Sequence, residues 1–152
     1  AAPAAAIANA ARAATKIRSG DTGTARIPFF ERMKRAMSPS LIRCLLAVLA
    51  LSEVYETILS KDVAYLLGVK RPTVHRALEV LNEKGLIQKA PYGDISLTDA
   101  GAKLAQTMER TRDDLILLFS DSYGLSPAES AKAALVLMSE LNEESLNKLV
   151  NR

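Results

Sequence analysis

The chain has 152 residues, 49% of them hydrophobic, a formal charge of +3, and no apolar run long enough to span a bilayer. That suits one compact domain with an appendage, or two small units, and a membrane partner is not expected. The charge is unevenly spread: residues 1–37 carry seven cations against two acids, residues 38–98 come to +1 and residues 99–152 to −3. A basic arm therefore precedes a nearly neutral body and an acidic C-terminal part poorly suited to nucleic acid.

In chain order, the opening AAPAAAIANAARAATKIR is rich in Ala and free of acids, like a transit peptide or a tail. Its alanines predict a helix from Ala4 to Arg18 that ends near Ser19-Gly20 and needs a partner to hold it. Ser38-Pro39 sets a cap and a first-turn proline ahead of LIRCLLAVLALSEVY, an apolar helix expected to end near Tyr55. The lone Cys44 lies among Leu41, Leu45, Leu46, Val48 and Leu49. It forms no disulfide within the chain, reads as a buried inert thiol, and fits a cytoplasmic setting.

The stretch from Ser60 to Thr98 has the layout of a winged helix-turn-helix. Ser60 is read as the cap of a short apolar helix, Gly68 as the turn, Pro72 as the opening of a second helix and Gly85 as its close. Leu86, Ile87, Ile95 and Leu97 supply two short strands, with Pro91-Tyr92-Gly93-Asp94 as the wing tip. Thr98 then caps a long helix to about Tyr123, ended by Gly124. Ser126-Pro127-Ala128-Glu129 is a capping box that starts a helix to about Leu141, and Asn142 caps a last short one.

In the second helix of the motif Val74, Ala77, Leu78 and Leu81 recur at helical spacing and form a core stripe. The opposite face carries Pro72, Arg76, Glu79 and Glu83, flanked by Thr73 and His75. Groove-reading chemistry is confined to its first turns. Arg76 can bond both acceptors of a guanine, and Thr73 can meet a thymine methyl or a phosphate. Glu79 would repel phosphate unless paired, and Arg76 three residues earlier is the expected partner. Lys89 on the wing strand suits a phosphate, and Arg71 and Tyr92 complete the candidate DNA-binding set.

The long helix carries Leu104, Met108, Thr111, Leu115 and Leu118 at spacings of four and three, the seam of a helix that packs along another. With the face of Ala128, Ala131, Ala134 and Leu135 it is too apolar to stay wet in a domain this small. Leu104, Met108, Leu115 and Leu118 are therefore read as dimerisation residues of a homodimer. Met108, Leu115, Leu118 and Phe119 could instead line a small-molecule pocket, for an effector the sequence does not name. Asp113-Asp114 and Glu143-Glu144 read as solvated faces. No phosphate loop, nucleophile-base pair or second histidine is present, and an enzyme is not expected.

From Lys61 through the wing, then LTDAGAKLAQTMERTRDDLILLF, YGLSPAES and ELNEESLNKL, the chain resembles the iron-dependent repressor family, typified by the diphtheria toxin repressor and the manganese transport regulator. The Pro72-Thr73-Val74 opening of the recognition helix and the order of the last three helices favour it over the multiple-antibiotic-resistance regulators. The resemblance implies a mainly α fold with a small β-wing: a winged helix-turn-helix over 38–98 after the arm of 1–37, then a helical dimerisation domain over 99–152. It further implies a homodimeric repressor on a pseudo-palindromic operator in double-stranded DNA. Lys70, Pro72 and Arg76 match positions that approach bases, and Thr73 and His75 match positions that contact phosphate.

The family binds iron or manganese, and there the match fails. The ungapped counterparts are Asp113, Leu135, Met138 and Ser139, and the first helix offers no carboxylate from Arg43 until Glu53. A divalent ion needs several converging oxygen or imidazole donors. No metal or other cofactor is expected, and metal sensing in the family manner reads as lost. The expected function is a metal-independent DNA-binding regulator. The alternatives are a ligand-responsive regulator of the drug-resistance type and a winged-helix scaffold for protein partners.

Overall fold

Residues 37–150 are described by the computed structural model, in two units whose boundary falls between Arg110 and Thr111, inside the longest helix. The expected helix from Ala4 to Arg18, and the basic arm as far as residue 36, lie outside the described residues. The fold is mainly α with one two-stranded sheet, a winged helix as the sequence implies.

The first unit is built around helix α1, Pro39–Ser52. Ser38 Oγ accepts the Leu41 amide at 3.3 Å, and Pro39 follows with its φ already suited to a helix. The helix is apolar nearly all round, so it is central: Ile42, Cys44, Leu45, Val48 and Leu49 are buried, and it packs on two helices and a strand of the same unit. It ends at Ser52, earlier than the expected Tyr55. The Ser52 hydroxyl turns back onto the Leu49 carbonyl at 2.6 Å, and Val54 and Tyr55 stand in solvent with no core to continue against.

Helix α2, Ser60–Leu67, buries Val63 and Ala64. Its cap is not Ser60. Leu59 is the capping residue, and the Asp62 carboxylate accepts the Leu59 amide at 2.9 Å, so the acid within the first turn supplies the acceptor. Gly68 ends the helix at φ +66°, and the Val69 amide reaches back to the Ala64 carbonyl at 3.2 Å. That left-handed residue sets the turn and is why glycine stands there.

Helix α3, Arg71–Glu83, buries Val74, Leu78 and Leu81 and leaves Ala77 half-buried, which is the expected stripe. Strands β1, Ile87–Lys89, and β2, Ile95–Leu97, pair antiparallel with Ile87 opposite Leu97 and Lys89 opposite Ile95. Ile58 adds an isolated bridge to Ile95, which anchors the wing on the segment before α2 and was not foreseen. At the tip the Gly93 amide donates to the Ala90 carbonyl at 2.9 Å.

Thr98 caps helix α4, Asp99–Leu117: its hydroxyl accepts the Gly101 amide at 3.0 Å and donates to the Gly85 carbonyl at 2.6 Å. One side chain thus joins the end of α3, the wing and the long helix. Instead of running as α-helix to Tyr123, the chain widens to π-helix over Leu118–Ser122 before Gly124.

In the second unit, helix α5, Pro127–Glu140, starts with the expected capping box: Ser126 Oγ accepts the Glu129 amide at 3.2 Å, and the Glu129 carboxylate accepts the Ser126 amide at 3.4 Å. Helix α6, Glu143–Leu149, is capped by Asn142. Leu115, Phe119, Ala134, Met138, Leu141 and Leu146 are buried in this unit.

Candidate nucleic-acid interface

Helix α3 owes its presentation to its two ends. Lys70 is the extended residue before it, with its carbonyl accepting from Thr73 and Val74, and Gly85 at φ +73° turns the chain into the wing. Between them the Val74, Leu78, Leu81 stripe is fixed in the core, so the rest of the helix must face outward. Lys70, Arg71, Pro72, Thr73, His75 and Arg76 are all exposed, as a groove-reading surface requires. Among the described residues Arg76 makes no ion pair. Its guanidinium is open to the two acceptors of a guanine.

Two residues predicted separately are brought together. Lys89, half-buried on β1, places its Nζ 3.2 Å from His75 Nδ1 on α3. His75 Nε2 lies 3.0 Å from a Glu79 carboxylate oxygen, one helical turn on. The expected Arg76–Glu79 pair is therefore replaced by His75–Glu79: the i,i+4 step brings the shorter imidazole onto the carboxylate and leaves Arg76 out. Tyr92 stands at the wing tip, 92% exposed.

Sequence reasoning passed over Tyr65, also 92% exposed, on α2. The signal was present, because Val63 and Ala64 face inward and put Tyr65 on the outer side of a short helix. It also passed over Arg43, whose Nη2 donates to the Leu67 carbonyl at 3.4 Å and holds the end of α2 to α1.

The predicted dimerisation residues divide. Leu104, Met108 and Leu115 are at most 2% exposed within the chain itself, while Leu118 is half-buried. Among the described residues of the second unit, Leu117 and Val136 are large apolar side chains that stand in solvent. In that unit a cavity of about 480 Å³ opens between the π-helical turn and α5, lined by Phe119, Tyr123, Leu125, Lys132, Ala133, Val136 and Leu137. Of the side chains expected to line a pocket, Phe119 lines this one, its ring 6.0 Å from that of Tyr123.

The positions that match the family's metal ligands do not make a donor set. Asp113 is held by Arg112 at 2.9 Å, Leu135 has no donor atom, Met138 is buried, and the Ser139 hydroxyl donates to the Val136 carbonyl at 2.7 Å. Among the described residues no three His, Cys, Asp or Glu side chains converge. These residues do not fit a divalent cation. Nor does any helix among the described residues have the length and apolarity to cross a membrane.

Comparison with known proteins agrees with this architecture. The chain is 36% identical over 86 residues to the transcriptional regulator MntR of Escherichia coli (strain CFT073), a match covering 57% of this chain and 55% of MntR. MntR of Salmonella typhimurium is 35% identical over the same length, covering 57% of this chain and 54% of that protein. The chain thus spans about 55% of the length of the curated relatives it matches. Among solved structures the manganese regulator SloR superposes with a TM-score of 0.65 at 25% identity, over 76% of this chain and 55% of SloR. IdeR of T. acidophilum shares the fold, with a TM-score of 0.58 at 21% identity over 73% of this chain and 52% of that one. No family model matches. The chain is homologous to MntR, and the resemblance to the iron-dependent repressors read from the sequence stands.

Proposed function

We propose that this chain is a sequence-specific DNA-binding transcriptional regulator, a repressor acting as a homodimer on a pseudo-palindromic operator without metal activation. One observation carries the reading: helix α3 is anchored by Val74, Leu78 and Leu81 and exposes Lys70, Arg71, Thr73 and Arg76 along its first turns. The wing cation Lys89 is in contact with the same helix. A cationic helix start beside a cationic wing suits a recognition helix in the major groove with the wing on the adjacent phosphate backbone. Homology to MntR and similarity to SloR support it. Exposed Leu117 and Val136 support a second copy as the partner of residues 111–150. The donor-poor Asp113, Leu135, Met138, Ser139 set supports independence from metal.

Selection of bound sequences from a random duplex pool, with and without chelator, tests this. A two-fold symmetric motif enriched equally under both conditions is the expected result. A motif that disappears with chelator would overturn metal independence, and no enrichment would leave the protein-binding scaffold as the account.

The apolar cavity beside α5 favours a second reading, a regulator released from DNA by a small apolar effector. A screen of such compounds for loss of DNA affinity separates it from an effector-free regulator.

A further inference from the structure

We propose that His75 is a positioning residue: held by Glu79, it sets the wing cation Lys89 over the phosphate that Lys89 contacts, and so couples the wing to the recognition helix. The inference rests on the DNA-binding reading above and assigns part of that surface a role the reading does not contain.

The chemistry of the three groups permits one arrangement. An ammonium has three donors and no acceptor, so at 3.2 Å His75 Nδ1 must accept from Lys89 Nζ. An ionised carboxylate only accepts, so at 3.0 Å His75 Nε2 must carry the hydrogen that Glu79 receives. Both contacts are met by the neutral imidazole with its proton on Nε2. Glu79 selects that tautomer, and the tautomer in turn presents a lone pair to Lys89. The backbone of Lys89 is fixed independently, because β1 pairs it with buried Ile95, which is bridged to Ile58.

A flexible lysine normally loses rotamer freedom when it grips a phosphate. Here one of its three N–H donors is already engaged on α3, and two remain for phosphate oxygens. The same contact explains an acid on the DNA side of the helix: Glu79 is turned onto His75 rather than left to repel the backbone. Because His75 and Glu79 are 53% and 58% exposed, their pair adds little to folding, and removing it leaves the protein folded.

The test is a set of DNA-binding measurements on the full chain with the selected duplex. Lys89→Ala should cost roughly tenfold in affinity in the parent, the value of one charge-assisted bond. In a His75→Leu background the same change should cost about twofold or less, because the lysine is no longer held in place. A His75→Gln background, whose amide both donates and accepts, should restore most of the larger penalty. Equal Lys89 penalties in all three backgrounds would overturn the proposal. His75 is the single histidine of the chain, so its imidazole nitrogen resonances need no assignment. They should report the Nε2–H tautomer more fully in the free protein than in Glu79→Ala, where only the imidazole's intrinsic preference for that form remains. A dominant Nδ1–H form would equally overturn the relay. If Arg76→Ala relaxes base preference while the Lys89 penalties are additive, DNA reading stands and the coupling falls. If the parent binds no duplex, both fall.

Discussion

Gly101 lies so close to Leu86 that a Cβ built on it would meet the Leu86 carbonyl oxygen at 1.8 Å. The long helix α4 and the residue that opens the wing are thus in backbone contact, sealed by the Thr98 amide on the same carbonyl at 3.1 Å. Backbone cannot give way as a side chain can, so the contact admits glycine alone.

Gly101→Ala is the first test of that contact. In a helix, alanine ordinarily stabilises by about 1 kcal/mol over glycine. Here overpacking should reverse the sign and cost about 3 kcal/mol, read as a lower midpoint in urea with an unchanged slope. A stabilised variant would show that α4 is free to move away from Leu86.

Much of this was legible beforehand because it depends on local rules. Ser38, Ser126 and Asn142 cap helices, and Gly68, Gly85 and Gly124 adopt positive φ, where their residue types place them. The Val74, Leu78, Leu81 stripe followed from period alone, and with it the exposed set on α3. What the sequence hid was pairwise and long-range. No periodicity predicts the Ile58–Ile95 bridge, the Gly101–Leu86 approach, or the approach of Lys89 to His75 across the helix-to-wing turn. Glu79 had two possible hydrogen-bond donors beside it, and side-chain length and rotamer decided for His75 over Arg76. Ser60 reads as a cap from its residue type alone, but the helix starts one residue earlier: Leu59 is the capping position, and the Asp62 carboxylate fixes it by accepting the Leu59 amide.

Cys44 supplies a second prediction. It is 1% exposed on the inner side of α1, and burial pushes its thiol from 9.0 up to about 11. The folded protein should therefore resist thiol reagents at pH 8 and react at once in denaturant. Because the folded-state value is the raised one, its contribution to stability is complete below pH 9 and is lost as the pH rises through about 11. Denaturant midpoints measured from pH 8 upward should fall in that window, and Cys44→Ala should flatten the fall. Rapid labelling of the native protein would contradict the buried position.

Sedimentation addresses the homodimer. A particle of twice 16.4 kDa is expected at micromolar concentration. Leu117 and Val136, 58% and 52% exposed in the unit of residues 111–150, are the natural positions to disrupt it. Leu117→Glu with Val136→Glu should give a folded monomer. A parent that sediments as a monomer would remove the homodimer from the proposal.

The base-reading role falls on Arg76. It is exposed on α3, points away from the buried Val74, Leu78, Leu81 stripe and makes no ion pair among the described residues, so its removal should leave folding unchanged. Arg76→Ala should cost roughly 1–3 kcal/mol on the selected duplex and relax preference at one base pair in each half-site. Arg76→Lys keeps the charge but not the planar fork, so it should recover affinity for all duplexes without recovering the preference. That split separates reading from simple attraction to phosphate. If Arg76→Ala binds every duplex as the parent does while the protein stays folded, α3 does not read DNA through this residue, and the scaffold for protein partners becomes the better account.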